Sequence, residues 1–219
     1  MVREKITENI IQCALDMFDN PGVVWSGGKD STLLLHFVRK FNDSLPVIFV
    51  DTYVHFDETY EFIEKVRDEW NLNLHIARAE KNRISELIHD REKCCHYHKT
   101  MPFRNMIKKL KLDAVFVAIR WDEHPERAKE KYFSKRDDHW RVHPILHWTE
   151  KDIWDFTLKN KLPIHPLYHV GYRSFDCQPC ASPVCEGEVW KNLDKGAERA
   201  GRSKDKEEIM RRLRELGYF

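Results

Sequence analysis

Val23-Val-Trp-Ser-Gly-Gly-Lys-Asp-Ser-Thr-Leu-Leu-Leu-His-Phe-Val38 reads as three pieces in succession. Val23-Val24-Trp25 begins a short apolar run of strand length. Ser26 to Asp30 is polar and glycine-rich, and Ser31 to Val38 carries an apolar face broad enough for a helix packed on a sheet. The unit recurs. Val47-Ile-Phe-Val50 is strand-like, Asp51 to Glu58 is a loop, and Thr59 to Trp70 is a helix with Phe62, Ile63, Val66 and Trp70 on one side. Leu72 to Ala77 offers a third strand, Phe103 to Leu110 a helix, and Val115-Phe-Val-Ala-Ile119 is a continuous β-branched and aromatic run. Strands alternating with helices predict an α/β fold, a doubly wound and mostly parallel sheet with helices on both faces. Ser26, Asp51 and Arg120 each follow a predicted strand, so all three fall on the edge where open α/β sheets bind ligands.

The flanks fit a single soluble domain. The chain has 219 residues, 42% of them hydrophobic and 33% charged, enough for a real core. Its 37 basic and 36 acidic residues leave a net charge of +1, so any bound anion is held locally rather than by bulk charge. No apolar stretch approaches the roughly 18 residues of a membrane span. Met1 to Phe18 reads as an amphipathic helix, with Cys13 on its apolar face, and not as a signal peptide. A cytoplasmic, reducing setting is expected, in which six cysteines do not make a disulfide scaffold. Glu150 to Lys159 is a helix capped by Thr149, the stretch beyond Pro163 is rich in loops, and Lys204 to Leu216 is a last charged helix.

Ser26 to Ser31 has the chemistry of a phosphate cradle. Gly27 and Gly28 permit close backbone approach, their N–H groups and the following helix start favour an anion, and Ser26, Lys29 and Ser31 add side-chain donors. It is not a Walker A loop, because Lys29 is followed by Asp30 rather than a hydroxyl residue.

Ser26-Gly-Gly-Lys-Asp-Ser31 resembles the PP-loop of ATP pyrophosphatases, which cleave ATP between the α and β phosphates. Val50-Asp51-Thr52, Thr59-Tyr60-Glu61-Phe62, Lys99-Thr-Met-Pro102, Arg120-Trp-Asp-Glu123, Arg127-Ala-Lys129, Pro144, Trp148-Thr149 and Pro166-Leu167-Tyr168 extend the likeness. Together, over about residues 20 to 185, they resemble the phosphoadenosine phosphosulfate (PAPS) reductase family, which includes the small subunit of ATP sulfurylase. The resemblance implies an adenine nucleotide alpha hydrolase-like fold, with residues 1–185 as the nucleotide-binding domain and 186–219 as a charged helical extension. It implies nucleotide contacts from Ser26, Gly27, Gly28, Lys29, Asp30, Ser31 and Asp51, and substrate contacts from Lys99, Arg120, Arg127 and Lys129. Lys29, Arg120 and Arg127 are the expected catalytic groups, acting on ATP with its Mg²⁺. The nucleotide is ATP or one of adenylylsulfate type, and the family's partners are a sulfur donor, a thioredoxin-like reductant or a GTPase subunit. A homo-oligomer is expected.

Two signatures pull in different directions. The complete loop and Arg127-Ala-Lys129 followed by Phe133-Ser134 resemble the sulfurylase small subunit. Cys94-Cys95 and Cys177-x-x-Cys180 resemble the four ligands of the [4Fe–4S] cluster in adenylylsulfate reductases. Four thiolates also suit Zn²⁺, and Cys177-x-x-Cys180 alone could be a dithiol redox pair. Such reductases carry a nucleophilic cysteine in a C-terminal Glu-Cys-Gly motif, whereas Leu213-Arg-Glu-Leu-Gly-Tyr-Phe219 holds no cysteine and Cys185 is the candidate thiol nearby. ATP cleavage to adenylylate an acceptor in sulfur chemistry therefore ranks first, and reduction of adenylylsulfate or its 3′-phosphorylated form second. A nucleotide-binding iron–sulfur subunit active only with a partner is the third reading. An intact loop with a predicted cluster also resembles PP-loop proteins of DNA phosphorothioation.

Overall fold

The computed structural model describes residues 2–215. The expectations that touch Met1 and Leu216 to Phe219, including the thiol-free end, lie outside the described residues. Six strands form one sheet in the order β3-β2-β1-β4-β6-β5. They are β1 (Pro21–Val24), β2 (Val47–Asp51), β3 (Leu74–Arg78), β4 (Ala114–Phe116), β5 (Phe133–Lys135) and β6 (Trp140–Val142). All neighbours run parallel except β5, which pairs antiparallel with β6 at the edge. The doubly wound, mostly parallel sheet read from the alternating pattern is the fold observed.

Side chains alternate through the sheet as the pleat requires. Val47, Phe49, Ala114 and Phe116 join the core on one face, with α1 (Val2–Met17), α2 (Lys29–Arg39), α3 (Asp57–Trp70) and α7 (Glu150–Lys159). Ile48 and Val115 point to the other face, where Phe103 and Ile107 of α6 (Met101–Leu110) cover them. Leu33, Leu34, Leu35, Phe37 and Val38 of α2 are all buried, and each such side chain contributes roughly 1.5–3 kcal/mol on leaving water. Thr149 caps α7 as expected, in a capping box with Asp152.

Several local expectations are corrected. The run Val115 to Ile119 is strand only to Phe116, because β4 has partners on both sides over just three residues. Cys13 is exposed rather than packed; the buried line of α1 is Thr7, Ile11 and Ala14. The last charged helix is two, α8 (Lys204–Glu208) and α9 (Met210–Glu215), broken where Ile209 leaves helical geometry. The pattern missed β5, β6, α4 (Ile84–Leu87) and α5 (Arg91–Cys95). A π-helical turn, His96–Thr100, joins α5 to α6 into one rod. Such turns are often found where side chains are aimed into a site.

No helix among the described residues is long and apolar enough to cross a membrane.

Candidate active site

The loop after β1 opens onto a pocket at the carboxyl edge of the sheet, bordered by Ser26, Gly28, Lys29, Asp30 and Ser31. Gly27 turns the chain there with φ +76, a conformation that an L side chain rarely adopts, and so brings α2 to its start at Lys29. The loop is braced from within. Ser31 Oγ accepts the Ser26 N–H at 3.2 Å, and Tyr168 Oη accepts the Lys29 N–H at 2.9 Å. Burial pushes the Tyr168 hydroxyl up to about 12, which keeps it neutral there.

Lys29 and Arg120 are buried cations, 5% and 0% exposed. Lys29 Nζ donates to Asp30 at 2.9 Å and to Glu198 at 2.5 Å. Arg120 donates to Asp30 at 2.5 Å, to Asp122 at 3.2 Å and to the other oxygen of Glu198. Burial alone would lower both cations, and the Asp30 and Glu198 carboxylates outweigh it, holding each well above its usual range. Burial would raise Glu198, and Lys29 and Arg120 outweigh it in turn, so its pKa is lowered. Arg127 pairs with Glu123 at 2.6 Å beside this group. Asp30, Glu123 and Glu198 bring oxygens within 4.8 Å of one another. Each meets at least one of these cations, so the three carboxylates belong to an ion-pair network.

The four clustered cysteines converge although two elements far apart in sequence carry them. Cys94 and Cys95 end α5, and Cys177 and Cys180 bracket a 3₁₀ turn that docks on the loop after β2 through a Gln178 N–H bond to the Val54 carbonyl at 2.8 Å. All four border one narrow cavity with Arg91 and Lys99. Among the described residues no three of their sulfurs lie within 4.8 Å of one another. Burial and the neighbouring thiols push Cys94 up to about 11. Lys99, bound to Asp176, lines this cavity and the pocket at the Ser26–Ser31 loop alike. Cys185 lies elsewhere, packed beside Trp154 and Tyr168 with its thiol 4.0 Å from the Gly171 carbonyl.

The expected residues thus divide. Ser26, Gly28, Lys29, Asp30, Ser31, Lys99 and Arg127 border one pocket, with Arg120 joined to its wall through Asp30 and Glu198. Gly27 shapes the turn. Asp51 is held by the Tyr53 N–H, the Tyr60 hydroxyl and Arg78, at 2.8, 3.0 and 2.8 Å, which makes it a brace for the end of β2. Lys129 stands out in solvent and pairs with Glu126 at 2.5 Å. Pocket residues the pattern did not single out are Glu198, Arg199, Arg202 and Arg141. Arg141 carried a weak signal, a charge inside an apolar run; the others lie in a charged stretch that looks like a solvated surface.

His165 behind the loop is buried, within 3.0 Å of the Thr59 hydroxyl, and burial pushes it down to about 3. A depressed histidine stabilises the fold above its unfolded value near 6.5, and that contribution is lost as pH falls from there toward 3. Between pH 7 and pH 5 urea unfolding is expected to show about 2 kcal/mol of lost stability from this residue alone. A His165→Asn variant should lack that part of the slope; an unchanged slope would refute the assignment.

Residues 20–183 match the phosphoadenosine phosphosulfate reductase domain. Adenosine 5′-phosphosulfate reductase of Bacillus cereus strain B4264 is 34% identical over 174 residues, covering 74% of this chain and 73% of that protein. The protein of the same name from Bacillus thuringiensis strain Al Hakam is 35% identical over the same length and coverage. Among solved structures, PAPS reductase from Candida auris in a phosphate complex superposes with TM-score 0.69 at 19% identity, covering 81% of this chain and 90% of that one. FMN adenylyltransferase from Candida glabrata, with FMN and an ATP analogue, gives 0.68 at 23%, covering 83% and 63%. These structural likenesses establish the fold. The domain match and the identity to curated relatives go further, and by them this chain belongs to the phosphoadenosine phosphosulfate reductase family.

Proposed function

We propose that the protein binds ATP across the carboxyl edge of the sheet and cleaves it between the α and β phosphates, passing the adenylyl group to an oxyanion acceptor in sulfur chemistry. The observation that carries this is the complete Ser26 to Ser31 loop, with Lys29 on the pocket wall and Arg120 converging on the same carboxylates. In this reading residues 1–185 form the nucleotide-binding domain and the segment after 185 closes over its edge. Pyrophosphate leaves from the loop, where Lys29 and the start of α2 offset its growing charge. Arg127, Lys99, Arg199 and Arg202 border the same pocket and suit an acceptor oxyanion, which arginine can hold through two parallel bonds. Positioning and charge neutralisation are sufficient for this chemistry. Mg²⁺ enters with the nucleotide as part of the substrate.

Cys94, Cys95, Cys177 and Cys180 would hold a [4Fe–4S] cluster. The donor set fits: four thiols on one cavity, with two basic side chains beside them. Such a cluster supplies electron transfer or an electrostatic anchor beside Lys99.

Incubation with α-labelled ATP and candidate oxyanion acceptors tests the reading. Release of pyrophosphate with AMP or an adenylylated product supports it, and ADP as the sole product would sink it. One observation favours a second reading, reduction of an adenylylsulfate-type nucleotide: Lys99 joins the nucleotide pocket to the thiol cavity, and the curated relatives carry that reductase name. With Cys185 packed elsewhere, the attacking thiol would come from a partner, and sulfite release dependent on thioredoxin would decide for it.

A further inference from the structure

Glu198 is placed where a ligand's phosphates would go. Its two carboxylate oxygens are divided between Lys29 and Arg120, the two buried cations at the loop. Asp30 and Glu198 each bridge the two cations, and Asp122 adds a third carboxylate on Arg120, so no positive charge at the loop is left without a carboxylate. The pocket measures about 220 Å³, below the roughly 300–1,000 Å³ of sites that enclose drug-sized ligands.

The surroundings allow the side chain to leave without unravelling its segment. Arg173 donates to the Gly196 carbonyl at 2.8 Å on one side, and the Ser182 N–H bonds the Gly201 carbonyl at 2.8 Å on the other. Glu198 is also a partition, since it borders the main pocket on one side and a second, more open cavity on the other. Arg173 and Arg199 line that second cavity. Both already hold carboxylates there, Arg173 that of Glu150 and Arg199 that of Glu207, so a Glu198 carboxylate turned that way would share their cations. Turning away with nothing in exchange would leave Lys29 with Asp30 alone and Arg120 with Asp30 and Asp122, one carboxylate fewer around two buried cations, so departure is tied to the arrival of an anion.

We propose that Glu198 is a specificity-determining residue of the loop: its carboxylate occupies the outer-phosphate subsite, and a ligand takes that subsite only by bringing a pyrophosphate group that spans Lys29 and Arg120. A nucleoside triphosphate meets this condition. A nucleoside monophosphate has no outer phosphate to offer and leaves Glu198 in place. This inference rests on the reading that the loop binds the pyrophosphate end of ATP, and the test separates the two.

Binding of inorganic pyrophosphate and of AMP is measured by titration calorimetry on the wild-type protein, Glu198→Gln and Lys29→Met. When a closed form dominates, apparent affinity is reduced by the open fraction, so Glu198→Gln is expected to bind pyrophosphate about tenfold tighter or more. Its AMP affinity should stay unchanged. A carboxylate with a merely structural role would leave pyrophosphate binding equal or weaker. Glu198→Asp keeps the charge but cannot reach both cations; it is expected to fall between wild type and Glu198→Gln, and it decides the matter if Glu198→Gln does not fold. If Lys29→Met removes pyrophosphate binding while neither Glu198 variant tightens it, the loop reading stands and the role of Glu198 is overturned. If pyrophosphate binds equally to all the proteins, or to none, the loop reading fails and this inference fails with it.

Discussion

Replacing Lys29 with methionine is expected to slow ATP cleavage by about 10²–10³-fold, the effect of removing one preorganised donor from a developing charge. The ammonium is buried and held between Asp30 and Glu198. Asp30 keeps it in place when a pyrophosphate takes the position of the Glu198 carboxylate. Methionine matches the stem of lysine but leaves Asp30 and Glu198 facing Arg120 alone. Removing one partner from a buried ion-pair group costs about 3–5 kcal/mol, so thermal unfolding and AMP binding must accompany the rate. A folded Lys29→Met protein that binds AMP and cleaves ATP at the wild-type rate would remove the pyrophosphate from the loop. Under the second reading the substrate has no outer phosphates, and the same variant should release sulfite at close to the wild-type rate.

The second large effect concerns metal. Cys180→Ala is expected to reduce the iron of anaerobically purified protein from about four atoms per chain to almost none, with loss of the visible absorbance of a cluster. Cys13→Ala and Cys185→Ala serve as controls and should keep it, because Cys13 lies exposed on α1 and Cys185 packs beside Trp154 and Tyr168. Thermal stability should fall with the iron, since a cluster on these thiols would tie α5 to the turn Gln178–Cys180. Wild-type protein with one zinc and no iron would overturn the cluster assignment.

How much of this was legible in the sequence follows from the range over which each feature is determined. The body of α2, the helix Glu150–Lys159 and its Thr149 cap are set by residues within one or two turns of each other, and their pattern is sufficient. The strands β5 and β6 are three residues long, and β6 carries Arg141 in its middle with the guanidinium at the pocket and over the Phe103 ring. A charge in so short a run erases the apolar signal. Asp51 and Lys129 show the opposite case. Each has the right residue type near a strand end or a basic motif, yet Asp51 is taken up by Arg78 and Tyr60, and Lys129 faces solvent.

The sequence by itself determined the alternating strands and helices, the loop of two serines, two glycines, a lysine and an aspartate, and the four thiols that come as two pairs. Those are local or compositional properties, fixed by backbone propensity and apolar periodicity. Only the tertiary structure decided that Glu198 meets Lys29 across 169 positions, and that Lys99 borders both the pocket at the loop and the thiol cavity. The physical reason is that an isolated charged residue has no period: whether it is solvated or buried against an opposite charge depends on where the chain returns, and that is settled by the packing of the whole sheet.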